Sequence, residues 1–216
     1  MAVRIRRGRP DDADAAFLAW AMFAASRAHL PRGLWDLIIG GDEVQCLAYL
    51  RRLALAEPRS LYRCESFLIA EVDDVPAAAL TGFQVENAWE IVGEAMNNVQ
   101  RDLGWTEADT AASYMRVGPV WSDCMPPDIG ADFVIESVAT DPQYRRRGLI
   151  RSLIEEALAD ACLRGCKLAQ ITTYIGNVPA LAAYDKSGFQ FRDEKRCLEV
   201  ERVLGVPGFM RLTREL

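Results

Sequence analysis

The sequence predicts an α/β protein in which helices flank a mixed sheet. Three observations carry that expectation. Short apolar or alternating runs take turns with longer stretches at helical spacing. Turn formers, among them Pro10, Pro58, Gly148 and Gly188, stand at the joins. The composition, 50% hydrophobic and 26% charged over 216 residues, is that of a globular chain. Such a length supports one sizeable core, or one domain carrying an insertion.

Each element has its own signal. "VRIRRG" sets Val3 and Ile5 against outward arginines, as a half-buried strand does. Pro10 and the aspartates Asp11, Asp12 and Asp14 give a turn and a helix start before "AAFLAWAMFAASRAHL". A second helix fits "GDEVQCLAYLRRLALAE", stopped before Pro58. "SFLIAEV" and "AAALTGFQV" are strands joined through "DDVP", a hairpin. From Glu86 to Gly130 the pattern turns irregular. "AWEIVGEAMNNVQRDLG" and "EADTAASYMR" are expected helices broken at "GWT", and "VGPVWSDCMPPDIG" is an expected loop. "ADFVIESVAT" is an apolar strand interrupted by Glu136, and an Arg-rich turn leads into a helix from about Leu149 to Arg164. "KLAQITTYI" is a strand, "VPALAAYDKSG" a short helix closed by Gly188, and "FQFRDEKR" and "GFMRLTREL" are the last strands. No repeat or low-complexity tract interrupts this order.

Composition also excludes. With 31 acidic against 25 basic residues the net charge is −6, wrong for a general nucleic-acid binder. "MAVRIRRGRPDDADAAF" has no apolar signal core, and no segment reaches the roughly 18 apolar residues of a membrane span. The expectation is a cytoplasmic protein with neither nucleic-acid nor membrane partner. The cysteines (Cys46, Cys64, Cys124, Cys162, Cys166 and Cys197) are scattered, with only Cys162 and Cys166 close together. They read as reduced thiols, mostly small buried hydrophobes, and no metal is expected. The single His29 excludes a multi-histidine metal site and reads as a surface or core residue at a helix end.

"VATDPQYRRRGLIRSLIEEAL", from Val138 to Leu158, concentrates positive charge in an acidic chain. A helix N-terminus presents unsatisfied N–H groups and a positive dipole end, and Gly148 allows close approach of an anion. Arginines add bidentate phosphate donors. The turn reads as a phosphate cradle, with a solvated basic loop as the alternative. No GxxxxGK[ST] motif and no repeated-glycine dinucleotide fingerprint is present. The stretch resembles the acetyl-CoA-binding motif of the GNAT superfamily of N-acetyltransferases. Arg145 and Gly148 take the first two signature positions, and Ile150 stands third, where the family usually has Gly or Ala. That departure puts a branched side chain near the pyrophosphate position. "NVPALAAYDKSGFQFRDE" resembles the family's second motif at Asn177, Ala180, Tyr184, Gly188 and Phe189, one strand later, as the order requires. The opening "VRIRRGRPDDADA" is similar to the family's first strand and helix. The resemblance covers most of the chain outside about 86–130.

It implies a single acetyltransferase domain over 1–216. Its mostly antiparallel twisted sheet would be splayed at the cofactor site, with a helical insertion before the core strand. It also implies acetyl-CoA as acyl donor, and direct transfer of the acetyl group to an amine of a small molecule or protein. Tyr184 stands where members place a phenol beside the CoA sulfur. With an unperturbed pKa of about 10 it can donate a proton, and packing alone, on a helical face shared with Ala180, is the alternative. Glu136 puts a charge where burial is expected, and burial raises a carboxyl toward the pKa a base needs. Some members place a catalytic glutamate on that strand face, and a glutamate paired to an arginine is the alternative. By alternation Glu136 shares its face with Asp132, Val134 and Val138. Asp132 and Asp123 are further candidates for the base.

In the family the backbone at Val138, Ala139 and Thr140 pairs with the pantetheine amides. Arg146, Arg147, Gly148, Leu149, Ile150 and Arg151 would surround the pyrophosphate, with Arg145 there or positioning the turn. Asn177 would bond the cofactor arm and Lys186 would reach a phosphate. The chain exceeds a typical member in length, mostly over 86–130, where Trp89, Trp105, Tyr114 and Trp121 gather. That segment is a specificity lid, a satellite core, or an oligomer interface such as that of a homodimer. Its Glu90, Glu94, Glu107, Asp109 and Asp123 would favour a cationic acceptor. A non-catalytic acyl-CoA-binding or sensing module is the competing reading.

Overall fold

The structure, a computed structural model, describes residues 2–216. Strand β1 (Val3–Arg7) is followed by helices α1 (Asp12–Arg27), α2 (Leu34–Ile39) and α3 (Glu43–Leu53). Strands β2 (Phe67–Val72) and β3 (Val75–Gln84) form the expected hairpin. Its turn is Asp73–Asp74, both at positive φ (50° and 65°), the conformation a two-residue hairpin loop needs. Pro76 is tolerated in β3 because a bulge there relieves the ladder.

Helices α4 (Ala88–Asp102) and α5 (Glu107–Asp123) precede β4 (Phe133–Thr140), then α6 (Leu149–Leu163) and β5 (Leu168–Tyr174). The chain closes with α7 (Val178–Lys186), β6 (Gln190–Arg196), α8 (Leu198–Leu204) and β7 (Gly208–Glu215). The seven strands form one sheet in the order β1-β2-β3-β4-β5-β7-β6. Only β4 and β5 are parallel; every other neighbouring pair is antiparallel. Two apolar clusters cover its faces. One joins α1–α5 and α8, with Leu18, Met22, Tyr49, Val99 and Val120 among its buried members. The other packs α6 and α7 through Leu153, Ile154, Leu158 and Tyr184.

The segment 86–130 differs from expectation. Helix α5 starts at a capping box, Thr106 with Asp109, and runs on through Gly118 and Pro119, where a loop was expected. An interior proline costs roughly 3 kcal/mol. Burial of Val117 and Val120 in the first cluster offsets that cost. Val92, Ala95 and Val99 of α4 join the same cluster, so the segment extends the main core and is not a satellite. Helix α8, within the unassigned stretch "CLEVERVLGVP", and the six-residue α2 were also not foreseen.

The cysteine expectation needs correcting. Cys124 and Cys197, 73 residues apart, form a disulfide with their Cα atoms 5.3 Å apart. The extended α5 delivers Cys124 to the start of α8, a meeting that sequence spacing cannot show. Cys46, Cys64 and Cys166 are buried free thiols and Cys162 is exposed. Replacing both bonded cysteines by serine is expected to lower stability by roughly 2–4 kcal/mol. The denaturant midpoint reads this directly, and an unchanged midpoint would contradict it.

Candidate active site

The site grows out of an irregularity in β4. Its parallel pairing with β5 lasts only from Phe133–Ala169 to Ile135–Ile171, although both strands continue. On its other edge β4 stays paired to β3 as far as Thr140. Beyond Ile135 the β5-facing edge of β4 is therefore open backbone, and the sheet splays there. A bulge at the same point adds one residue to β4 between Glu136 and Ala139, with Ser137 at φ 55°.

The bulge corrects the expected faces. Val134 and Ala139 lie in the α1 cluster, whereas Phe133, Ile135 and Val138 lie in the α6 cluster. Glu136 follows Val134, and Val138 turns to the opposite face because Ser137 takes up the extra residue. Glu136 keeps some solvent contact, yet burial of its carboxyl pushes its pKa up to about 7. The Tyr62 hydroxyl donates to its Oε2 at 3.2 Å and partly opposes that rise. Trp35 packs edge-on against the Tyr62 ring at 5.2 Å, which fixes the phenol in place. Asp132 is held differently. Its carboxylate accepts from Lys167 N and Leu168 N at 2.8 and 3.0 Å, tying down the start of β5, and those bonds lower its pKa despite burial. That geometry leaves it a structural tie. Asp123 is exposed at the end of α5.

Across the gap, on the other face, Tyr184 sits on α7 and is 6% exposed. Its hydroxyl makes no hydrogen bond among the described residues, and burial alone pushes the phenol's pKa up. The turn expected to hold phosphate lies between β4 and α6. Gly148 caps α6 in the left-handed conformation at φ 78°, with open space where a Cβ would stand. Arg146 also adopts positive φ (63°), an uncommon conformation for a non-glycine residue. Arg145, Arg146 and Arg147 are exposed around this helix start. Arg147 lies over the Tyr144 ring at 5.1 Å, and Arg151 pairs with Glu155 at 2.8 Å.

The sheet thus splays beside a glycine-capped, arginine-rich helix start, with two titratable groups across the gap. The acetyltransferase (GNAT) family model matches residues 43–189. The chain belongs to the GNAT acetyltransferase family. No curated protein sequence matches. Among solved structures, an N-acetyltransferase from Staphylococcus aureus Mu50 superposes with a TM-score of 0.67 at 18% identity, covering 98% of this chain and 100% of that one. A Drosophila melanogaster polyamine N-acetyltransferase that forms N-acetylagmatine gives 0.56 at 14% identity over all of both chains. The NatC complex bound to a Gag peptide and CoA gives 0.53 at 14% identity, covering 100% and 99%. At such identities these likenesses show the fold.

The GNAT family transfers acetyl groups from acetyl-CoA to amines, small-molecule or peptide, and this chain's cradle fits that donor. The Ile150 side chain, at the third signature position, packs against the α6 cluster and is partly buried. Asn177 is buried at the start of α7, with its Nδ2 donating to Thr173 Oγ1 at 2.9 Å. Lys186 is exposed at the other end of that helix. Sequence reasoning missed Tyr62, Trp35 and Tyr174. Tyr174 donates to Ser26 O at 2.9 Å and its ring stacks on Phe209 at 5.3 Å, joining α1 to the splayed end of β5. His29, exposed in the turn after α1, meets the same Tyr174 edge-on at 6.5 Å.

Proposed function

We propose that this chain is an acetyl-CoA-dependent N-acetyltransferase that acts on a primary amine by direct transfer, with Glu136 as general base and Tyr184 as general acid. The observation that carries this reading is the Glu136 carboxyl, raised to about 7 at the first position beyond the β4–β5 pairing. At that pKa it is both substantially ionised and basic near neutral pH. A binding module without chemistry would have no use for such a carboxyl at the gap.

The donor supplies an activated acetyl thioester. Val138, Ala139 and Thr140 offer open backbone to its pantetheine arm as an added strand would. The N–H groups of Gly148, Leu149, Ile150 and Arg151, with the Arg145–Arg147 side chains, hold its pyrophosphate. Asn177 keeps its carbonyl oxygen for the arm, and Lys186 stands at a phosphate. Glu136 takes the proton of the attacking amine, directly or through a water. Tyr184 gives its proton to the departing sulfur as the C–S bond breaks and the N–C bond forms. Tyr62 holds the Glu136 carboxyl in the orientation this needs.

A thiol-release assay with a panel of amines tests the function, since a sensor binds acetyl-CoA without turnover. Gly148→Glu tests the cradle. An added carboxylate at the helix start repels phosphate, and the left-handed backbone there strains any side chain. Calorimetry should show acetyl-CoA affinity falling at least roughly tenfold. Unchanged affinity would place the pyrophosphate elsewhere.

A further inference from the structure

A groove of about 350 Å³ opens between the α1–α2 connection, α2, α5 and α8, lined by Arg32, Leu37, Met115, Arg116, Arg202 and Val203. It contains three arginines and no acidic residue in a chain of net charge −6. Arg116 donates to Leu37 O and Ile38 O at 2.7 and 3.2 Å, closing the end of α2. Arg202 pairs with Glu199 while remaining 70% exposed. Arg32 is exposed and makes no hydrogen bond or ion pair among the described residues. The acidic group whose field it does reach, Asp36, is already held by Arg27 at 2.8 Å. Arg27 also pairs with Glu43 at 2.9 Å, so with Glu199 set against Arg202 the four arginines here, Arg27, Arg32, Arg116 and Arg202, face three carboxylates, and one positive charge remains uncompensated.

The groove lies on the Glu136 side of the sheet. Helix α2 carries Trp35, which packs on Tyr62, the residue bonded to Glu136. The α1–α2 connection is tied to the splayed end of β5, because Trp35 N donates to Ser26 Oγ and Tyr174 donates to Ser26 O. Leu204 of α8 and Val206 just after it belong to the apolar cluster that also holds Tyr174 and Phe209.

Building on the acetyltransferase reading, we propose that this groove receives an anionic group of the acceptor. The acceptor is then a small amine that also bears a carboxylate or phosphate. The arginines take the anion, and Leu37, Met115 and Val203 line the connecting chain. The amine is thereby turned toward the gap at Glu136. A volume of this size suits a small molecule. The sign is opposite to that suggested by the acidic residues of 86–130. None of those acids lines the groove.

The test compares four amines of one chain length: an ω-amino carboxylate, the corresponding ω-amino alkyl phosphate, the neutral amide and the diamine. In the native protein at low salt, kcat/KM for one of the anionic amines should exceed that for the neutral amide by roughly tenfold, and salt should shrink the difference. Which anion is favoured identifies the group. The exposed Arg32→Ala and Arg202→Ala changes together should bring the ratio close to one. Equal or better use of the amide or diamine by the native protein would overturn the proposal and leave the acetyltransferase reading intact. Survival of the anion preference in the double variant would do the same. Absence of thiol release with all four amines, while acetyl-CoA still binds in calorimetry, would overturn the proposal, and its absence across the wider amine panel as well would overturn the acetyltransferase reading.

Discussion

Glu136→Gln is expected to lower kcat by roughly 10²–10³-fold, the contribution of one positioned base. The amide keeps an oxygen that can accept from Tyr62, so geometry survives while basicity is lost. The same change should stabilise the fold. Burial raises the folded-state pKa of Glu136 to about 7, well above its usual range near 4.5. Below the unfolded value both states hold the proton, and the residue carries no penalty. As pH rises through the folded value, the fold must accept a buried charge that the unfolded chain accepts freely, so stability is lost across that window. At about pH 8 the Gln variant should therefore be more stable by roughly 1–3 kcal/mol, and at about pH 4 it should match the native protein. Thermal melts at both values check the sign. Equal melting temperatures at the higher value would mean that the carboxyl is not buried as described.

Tyr184→Phe is expected to lower kcat by roughly 10²-fold and to move the KM for acetyl-CoA by less than about threefold. Among the described residues the hydroxyl has no partner, so its removal breaks no hydrogen bond in the free protein. The ring is packed in the α6 cluster and Phe refills the same volume. A bond that strengthens only as charge develops on sulfur shows in turnover and not in binding. Stability should be unchanged within about 0.5 kcal/mol. A Phe variant of native activity would reduce Tyr184 to a packing residue.

The chemistry-bearing positions were readable where a residue broke its local pattern. Glu136 stood out as a charge in an apolar strand, and the Arg-rich turn as positive charge in an acidic chain. The hairpin was readable because "DDVP" interrupts two strand runs. Long-range meetings were not. Tyr62 reaches Glu136 from 74 residues away, out of a polar stretch with no periodicity. Cys124 meets Cys197 only because α5 continues through Pro119. The bulge at Ser137 was equally silent, since a serine at positive φ carries no sequence mark of the kind a glycine would. That one residue decides that Val138 and Glu136 face opposite ways, which period-two reasoning had placed together.

The most direct test of the central claim is the pH dependence of kcat/KM, measured in native protein and Glu136→Gln with two acceptors of different amine pKa. A base must be ionised to act, so the native profile should rise with a midpoint near 7, the value set by burial of Glu136. That limb should be the same for both amines and absent from the Gln variant. A limb that follows the amine's own pKa and persists unchanged in Glu136→Gln would show that the amine arrives already neutral and that Glu136 is not the base.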